Sequence, residues 1–340
     1  MRIGIVGPGA IGGYLALQTS QEASVVVLDK VRDEPRPPPE GAVDVRGRQI
    51  TAGELTMTSA PEDLATCDLV AVATKSGATA AVARTLAGVV GPDTPVVSMQ
   101  NGLRNVTRLQ AELGARAVGG VVGFNVFRDG PRRLTQATEG ALYVGRPPSS
   151  MRAAVEAWVG ALRRAGETVL LEANVEEVRA GKLLLNLNNG VCAATGMGIV
   201  ASIEDGDARW CFATAMREGL RVMKAAGVTP GRATVLPPQW LPLVLRLPDV
   251  VIRHFGGSLV SMSRDARSST LQDLDRGATT EIDEINGAIV WLAERAGVPC
   301  PVNRRITEVV HDHERAEGTP AFLSPQALRG ELERAITRAA

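Results

Sequence analysis

Arg2-Ile3-Gly4-Ile5-Val6-Gly7-Pro8-Gly9-Ala10-Ile11-Gly12 stands near the start of the chain, and how it folds settles the architecture that follows. A short apolar run stops at three glycines spaced Gly7-x-Gly9-x-x-Gly12, and a helix-like segment from Ala10 to about Gln18 comes next. Each glycine meets a separate physical need: a tight turn at Gly7, close approach of backbone to a pyrophosphate at Gly9, and close helix-to-strand packing at Gly12. The helix N-terminus adds unpaired N–H groups and roughly half a positive charge. Gly7, Pro8, Gly9, Ala10, Ile11 and Gly12 therefore form a candidate cradle for nucleotide phosphates.

The same alternation of apolar runs and helical patterns continues, as in parallel βαβ units. Strands are expected over Arg2 to Val6, Ser24 to Leu28, Asp68 to Thr74, Pro95 to Met99, Ala117 to Phe127, Gly140 to Gly145 and Thr168 to Leu171, with an amphipathic helix from Ser150 to Ala165. Arg32-Asp33-Glu34-Pro35-Arg36-Pro37-Pro38-Pro39 reads as a surface loop, because proline lacks the backbone donor and fixes φ. From about residue 174 only helices are expected, so residues 1–173 form one domain and 174–340 an all-helical second. A long helix should run through Lys182 and Asn189. Thr280 to Arg295 reads as another, closed by Gly297, with Ile282, Ile285, Ile289 and Leu292 on one stripe. The tail after Glu317 reads as peripheral.

Composition narrows the function. With 37 basic and 37 acidic residues, nothing global favours nucleic acid or an anionic membrane. No apolar run approaches the roughly 18 residues of a membrane span, and Met1 leads straight into an apolar strand with no secretory signal pattern. A cytoplasmic protein is expected. Cys67, Cys192, Cys211 and Cys300 are too widely spaced to suggest zinc or a disulfide framework, and His311-Asp312-His313 reads as a solvated helix end with no metal.

Lysine is scarce: Lys30, Lys75, Lys182 and Lys224 stand against 33 arginines. Arginine keeps its proton near neutral pH, whereas desolvated lysine can release it, so such a chain retains lysine where proton transfer or a compact charge is needed. Asp29 ends the second strand where a carboxylate can hold the ribose hydroxyls of NAD(H). Lys30 and Arg32 follow at once and suit a 2′-phosphate. Lys75 falls at the carboxyl edge of the sheet, where nucleotides dock. The cations favour NADP(H), while Asp29 keeps NAD(H) open.

On a helix, Asn186 projects about 40° and Asn189 about 20° from Lys182, so the three share one face. Leucines 183, 184, 185 and 187 cover most of the rest. A buried ammonium needs a polar partner, so something polar meets this face unless it simply faces water. The arrangement suits carbonyl reduction: as hydride reaches the carbonyl carbon, the oxygen gathers charge that an ammonium stabilises and protonates. Desolvation can bring a lysine from about 10.4 to about 8.

Gly7-x-Gly9-x-x-Gly12, Gln100-Asn101-Gly102, Lys182-x-x-x-Asn186, Ser268-Ser269-Thr270-Leu271-Gln272-Asp273 and Thr280-Glu281-Ile282-Asp283-Glu284-Ile285-Asn286-Gly287 occur in one order. In this the chain resembles the ketopantoate reductase (2-dehydropantoate 2-reductase) family, from residue 1 to about 310. The resemblance implies a Rossmann-type, doubly wound sheet, a helical second domain, and NADPH-dependent reduction of a 2-oxo acid in the cleft between them. It casts Lys182 as general acid and Asn101 as a neighbour of nicotinamide and substrate. Asn186 and Ser269 become substrate ligands, and Glu281 an acidic residue meeting cofactor or substrate hydroxyls. Lys30 and Lys75 fall on cofactor-side positions. Read alone, Ser269 fits a helix cap and Glu281 a first-turn carboxylate equally well.

There are departures. Gly190 stands where the family commonly has a second asparagine, with Asn189 one residue earlier on the lysine face, and Thr270 and Ala180 replace a methionine and a tryptophan. A different 2-oxo acid or an imine is the first alternative substrate. The alternative from another class is a non-catalytic NADP(H)-binding regulatory protein. A small-molecule partner is expected, and a homodimer stays open.

Overall fold

Strand β1 (Arg2–Val6) is apolar without interruption because both faces of its sheet are covered. Ile3 and Ile5 join Val25, Val27, Leu69, Ala71 and Val97 in one buried cluster, while Val6 joins Val26, Leu28, Val70, Val72 and Val96 in another, the period-two division of a strand. The chain is described here by a computed structural model covering residues 1–29, 36–130, 132–232, 236–249, 251–252, 266–316, 318 and 320–339. It divides into two units, Met1–Glu176 and Glu177–Ala340.

The first unit holds β2 (Ser24–Leu28), β3 (Gly41–Val43), β4 (Gln49–Thr51), β5 (Leu55–Thr58), β6 (Leu69–Val72), β7 (Val96–Ser98), β8 (Ala117–Val122), β9 (Val126–Arg128), β10 (Arg133–Gln136), β11 (Leu142–Gly145) and β12 (Val169–Glu172). The large sheet has the order β12-β11-β8-β7-β6-β1-β2-β5. It is parallel from β5 to β8, and β11 then pairs antiparallel to β8. The chain winds away from β1 in both directions, to β2 on one side and β6 on the other, and such a reversal opens a crevice at the carboxyl ends of the strands. Helices α1 (Ala10–Ser20), α2 (Thr79–Val89), α3 (Arg104–Leu113) and α4 (Arg152–Arg164) complete the unit.

The expected strand Ala117 to Phe127 divides in two. β8 stays in the large sheet, and after a break at Gly123, where a Cβ would lie 2.5 Å from the Ala141 carbonyl, β9 joins a second sheet of order β4-β3-β10-β9. That small sheet covers the far side of α1, which explains why α1 is buried continuously from Gly12 to Ser20. Leu134, Ala42 and Ile50 from it share a core with Tyr14 and Leu17. Beneath α1 the Tyr14 hydroxyl lies 2.8 Å from Glu167 Oε1 and 3.0 Å from Gln136 Oε1, with one proton between the two acceptors, and Gln18 donates to Glu167.

The second unit contains, among the described residues, helices only: α5 (Val175–Thr195), α6 (Ile199–Glu204), α7 (Gly206–Ala225), α8 (Leu241–Val244), α9 (Ser269–Asp275), α10 (Asn286–Ala296), α11 (Pro301–Arg315) and α12 (Pro325–Ala339). α5 begins just before the division between the units. The Glu218 carboxylate on α7 accepts from the Val302 (3.1 Å) and Asn303 (2.8 Å) amides, satisfying otherwise orphaned donors at the start of α11. The helix expected from Thr280 begins only at Asn286. Ile285 (φ −110, ψ −94) interrupts it after a 3-10 turn at Ile282–Glu284, though Ile282, Ile285, Ile289 and Leu292 are all buried as expected. Gly297 closes it in the left-handed conformation (φ +67). The tail is not peripheral: α12 packs on α7 and α11 and buries Leu328 and Leu332 completely.

The histidine pair is divided: His311 keeps part of its surface exposed, as expected, and His313 does not. His313 is buried edge-on to Phe322 (5.3 Å), and His311 lies between two carboxylates. Among the described residues no cluster of three or more His, Cys, Asp and Glu could hold a metal, and no helix is long and apolar enough to cross a membrane.

Burial raises the Glu167 carboxyl above the usual carboxylate range, against the hydrogen bonds from Tyr14 and Gln18. A raised folded-state pKa contributes stability that is present at low pH and lost as pH rises through it. Glu167→Gln keeps the oxygen that accepts from Tyr14 and Gln18 but cannot ionise. Its melting temperature should therefore exceed that of the parent at pH 7, by a margin that closes towards pH 4 in parallel thermal melts.

Candidate active site

In the glycine turn, Gly7 takes φ +99, a conformation that side chains resist, and a Cβ on Gly12 would lie 1.9 Å from the Gly7 carbonyl oxygen. Gly9 differs. A Cβ there would meet nothing closer than the Ala73 carbonyl at 4.0 Å, so the protein itself does not demand glycine. The space Gly9 leaves lies at the start of α1, whose N-cap makes no side-chain bond of its own. The residues present thus fit a dinucleotide whose phosphates approach the backbone.

Beside this turn, Asp29 is buried and gripped by Arg36: Nε reaches Oδ2 at 2.7 Å and Nη2 reaches Oδ1 at 3.2 Å. Such a fork is the strong form of an arginine-carboxylate pair. Arg128, at the end of β9, donates to the Pro8 carbonyl and feels the charge of Arg36. Two guanidinium groups therefore gather next to the turn. Lys30 lies outside the described residues. Lys75 is exposed after β6, at the N-cap of the 3-10 turn Ser76–Ala78.

Asn101 follows β7 and is half-buried. Its carbonyl accepts from Asn105 Nδ2 (2.7 Å), which also donates to Ser76 (2.8 Å), while Thr79 donates to Asn105 (3.0 Å). Gln100 donates to Thr79 (2.8 Å) and to the Thr74 carbonyl (3.0 Å). These buried amides tie the loop after β6 to the loop after β7, fixing Lys75 and Asn101 on one edge of the sheet.

In the helical unit, Lys182, Leu185, Asn186 and Asn189 are half-buried, whereas Leu183, Leu184, Leu187 and Asn188 are buried. The stripe left open on α5 is thus the face expected to carry the chemistry. Burial pushes the Lys182 ammonium down to about 8, and the Glu281 charge acts against that fall. Glu281 lies in a non-helical turn (φ −101, ψ 27), not in the first turn of a helix, so its position is set by that turn. Ser268, not Ser269, caps α9 by accepting from the Leu271 amide (3.2 Å), which leaves Ser269 exposed with its hydroxyl uncommitted to the cap. Ser268 also acts on the Cys192 thiol, so α9 begins against the helix that carries Lys182.

Gly190 has no room for a side chain. A Cβ there would lie 2.3 Å from Asn286 Oδ1 and 2.7 Å from Ile306 Cγ2. Asn286 is fully buried and donates to Asn303 (3.0 Å), which in turn donates to Glu218 (2.9 Å), while Asn286 Oδ1 has no hydrogen-bond partner among the described residues. The Asn286 side chain thus fills the space that a side chain at 190 would take.

Sequence reasoning missed Arg36, Arg128, Asn105 and Asn286. Arg36 and Arg128 carried no periodic signal, one in a proline-rich loop and one at a strand end. Asn286 stood in a quoted motif but had no visible partner.

Residues 3–149 match a family model described as Ketopantoate reductase PanE/ApbA, and residues 174–314 its C-terminal counterpart. The chain belongs to the ketopantoate reductase family, whose members are pyridine-nucleotide-dependent oxidoreductases. A 2-dehydropantoate 2-reductase of Archaeoglobus fulgidus is 28% identical over 320 residues, covering 92% of this chain and 98% of the relative. Among solved structures, a ketopantoate reductase of Ralstonia eutropha superposes with TM-score 0.75 at 24% identity, over 92% of this chain and 98% of the other. D-mandelate dehydrogenase, solved with NADH and anilino(oxo)acetate, superposes with TM-score 0.74 at 18% identity over the same shares, 92% and 98%.

Gly190→Asn, which would place an asparagine at the family position, should therefore lower stability. Overpacking of this kind costs about 1–3 kcal/mol. Denaturant unfolding should show a lower midpoint, with Asn189→Ala as a surface control of small effect.

Proposed function

We propose that the chain reduces a 2-oxo acid, ketopantoate or a relative, to the 2-hydroxy acid with NADPH, using Lys182 as general acid. The observation that carries this reading is Lys182 itself. Its ammonium, held to about 8 by burial and opposed by Glu281, is still substantially protonated at neutral pH and loses its proton readily. The bound nucleotide supplies hydride to the carbonyl carbon. Lys182 stabilises the charge gathering on the oxygen and gives up its proton to it, then recovers one from solvent. Asn186 and Asn189, on the same open stripe, present amide donors and acceptors to substrate. Ser269 offers a hydroxyl to its carboxylate, and Asn101 helps place the reacting carbonyl. Glu281 keeps Lys182 protonated in the ground state.

Support for NADP(H) comes from Arg36. With both Asp29 oxygens engaged by its guanidinium, the carboxylate that would select NAD(H) is covered by a cation suited to a 2′-phosphate. Lys30 and Lys75 add to the same charge. The preferred 2-oxo acid is a second question, and Gly190 favours a substrate other than ketopantoate. The amide expected on α5 is absent, its space is filled by the deeply buried Asn286, and the D-mandelate dehydrogenase of similar fold was solved with anilino(oxo)acetate.

Two experiments test these roles. With ketopantoate and a panel of aliphatic and aryl 2-oxo acids, reduction should decline as pH rises past about 8, because the acid form of Lys182 is consumed there. Lys182→Ala should abolish that limb and lower kcat by roughly a hundredfold to ten-thousandfold; undiminished turnover removes Lys182 from the mechanism. Separately, Arg36→Ala should weaken NADPH in fluorescence titrations by about tenfold to a hundredfold, the range for hydrogen bonds to a charged group, while NADH holds or tightens as Asp29 is released. Equal weakening of both nucleotides would rule out a 2′-phosphate role.

A further inference from the structure

His311, on α11, is flanked on both ring nitrogens by carboxylates: Nε2 lies 3.0 Å from Asp283 Oδ1 and Nδ1 lies 2.7 Å from Glu314 Oε2. An ionised carboxylate only accepts, and a neutral imidazole has one N–H. Both contacts are hydrogen bonds only when the ring is doubly protonated. Glu314 uses its other oxygen to accept from the Thr280 amide (2.7 Å), and the Thr280 hydroxyl accepts from the Ile282 amide (3.2 Å). One cation thereby holds both ends of the turn Thr280–Asp283, and Glu281 is in that turn.

We propose that His311 is a positioning residue, a cationic clamp on Asp283 and Glu314 that holds the Glu281 carboxylate where its charge acts on Lys182. The catalytic half of this inference rests on the roles proposed above for Lys182 and Glu281.

The surroundings of His311 agree with a cation. Asp283 from the turn and Glu314 from its own helix favour the charged ring, burial opposes them, and the balance raises its pKa, while that of Glu314 is lowered. α7, α10 and α12 also pack on α11, and from them Glu218 meets Cys300 and Asn303, Glu294 meets Arg304 and Glu331 meets Arg305, all nearer its start than His311. Asp312 pairs with Arg315. When His311 loses its charge, one ring nitrogen faces a carboxylate with no proton between them. The turn is then released from one side, and Glu281 no longer has a fixed distance from Lys182.

His311→Gln and His311→Arg test the clamp in the full-length protein. Gln removes the charge, whereas Arg keeps a cation that can bridge two carboxylates. Hydrogen exchange should speed up several-fold over residues 280–285 in His311→Gln, with the body of α11 still protected, and return towards the parent rate in His311→Arg. In the pH profile of kcat/KM, the alkaline limb should move down by about half to one unit in His311→Gln, with a loss of about twofold to fivefold at pH 8, the size expected for residues acting through others. Glu281→Gln should move the limb the same way. Unchanged exchange in His311→Gln overturns the clamp. Faster exchange with no movement of the limb in either His311→Gln or Glu281→Gln overturns the link to Lys182 and the role proposed for Glu281, leaving the clamp as a structural feature. A uniform fall in activity that tracks melting temperature in both His311 variants, with the limb in place, overturns the positioning role.

Discussion

Desolvation of the Lys182 ammonium sets what its neighbours in the helical unit must oppose. α5 turns leucines into the core on most of its circumference, and the side chain at 182 lies on the remaining stripe, where burial pushes its pKa down. Glu281 opposes that, and a single opposing charge suffices only if its distance is fixed. The rest of the unit supplies the fixing. The turn that carries Glu281 is tied by Thr280 to Glu314 and by Asp283 to His311, and the helix after it begins late because Ile285 breaks the backbone there. A continuous helix from Thr280 would have placed Glu281 by helical geometry; the interruption leaves the turn that carries it to be held by hydrogen bonds instead.

The first unit solves a different problem, close approach of backbone to backbone and of backbone to ligand. Gly12 lets α1 lie on the Gly7 carbonyl, and with that contact set, the start of α1 points at the crevice beside β1 and β6. The second sheet over α1 then removes any exposed face from this helix, so the cradle stands on a fully enclosed support. Charge around the cradle is arranged by pairing. Asp29 sits at the strand end where acidic residues hold ribose, yet here both of its oxygens are engaged by Arg36.

What could be read from the residues was what has a period. The strands covered on both faces are unbroken apolar runs, and the Lys182, Asn186 and Asn189 face emerges from helical spacing alone. Three-residue strands such as β3, β4 and β9 are too short for any period, so the small sheet could not be read, and with it went the reason for Gln136, Tyr14 and Glu167. Arg36 was hidden because its partner lies across a proline-rich loop, where spacing follows no element. Ser268 and Ser269 are neighbours of the same chemistry, and only the backbone shows which one caps.

Gly190 shows that a motif departure can be built into the packing around it. A glycine replacing an amide suggests a vacant polar anchor, yet the volume is filled by Asn286, whose oxygen occupies the place a Cβ would need. Asn286 is held from behind by Asn303, and Asn303 by Glu218, so this amide is backed by a chain of hydrogen bonds running to the start of α11. Its oxygen is buried and without a partner among the described residues, a position that disfavours direct contact with a solvent-borne substrate and leaves Asn186 and Asn189 as the amides that can face one. Selectivity between 2-oxo acids then depends on the α5 stripe and the Ser269 hydroxyl, with position 190 acting through packing.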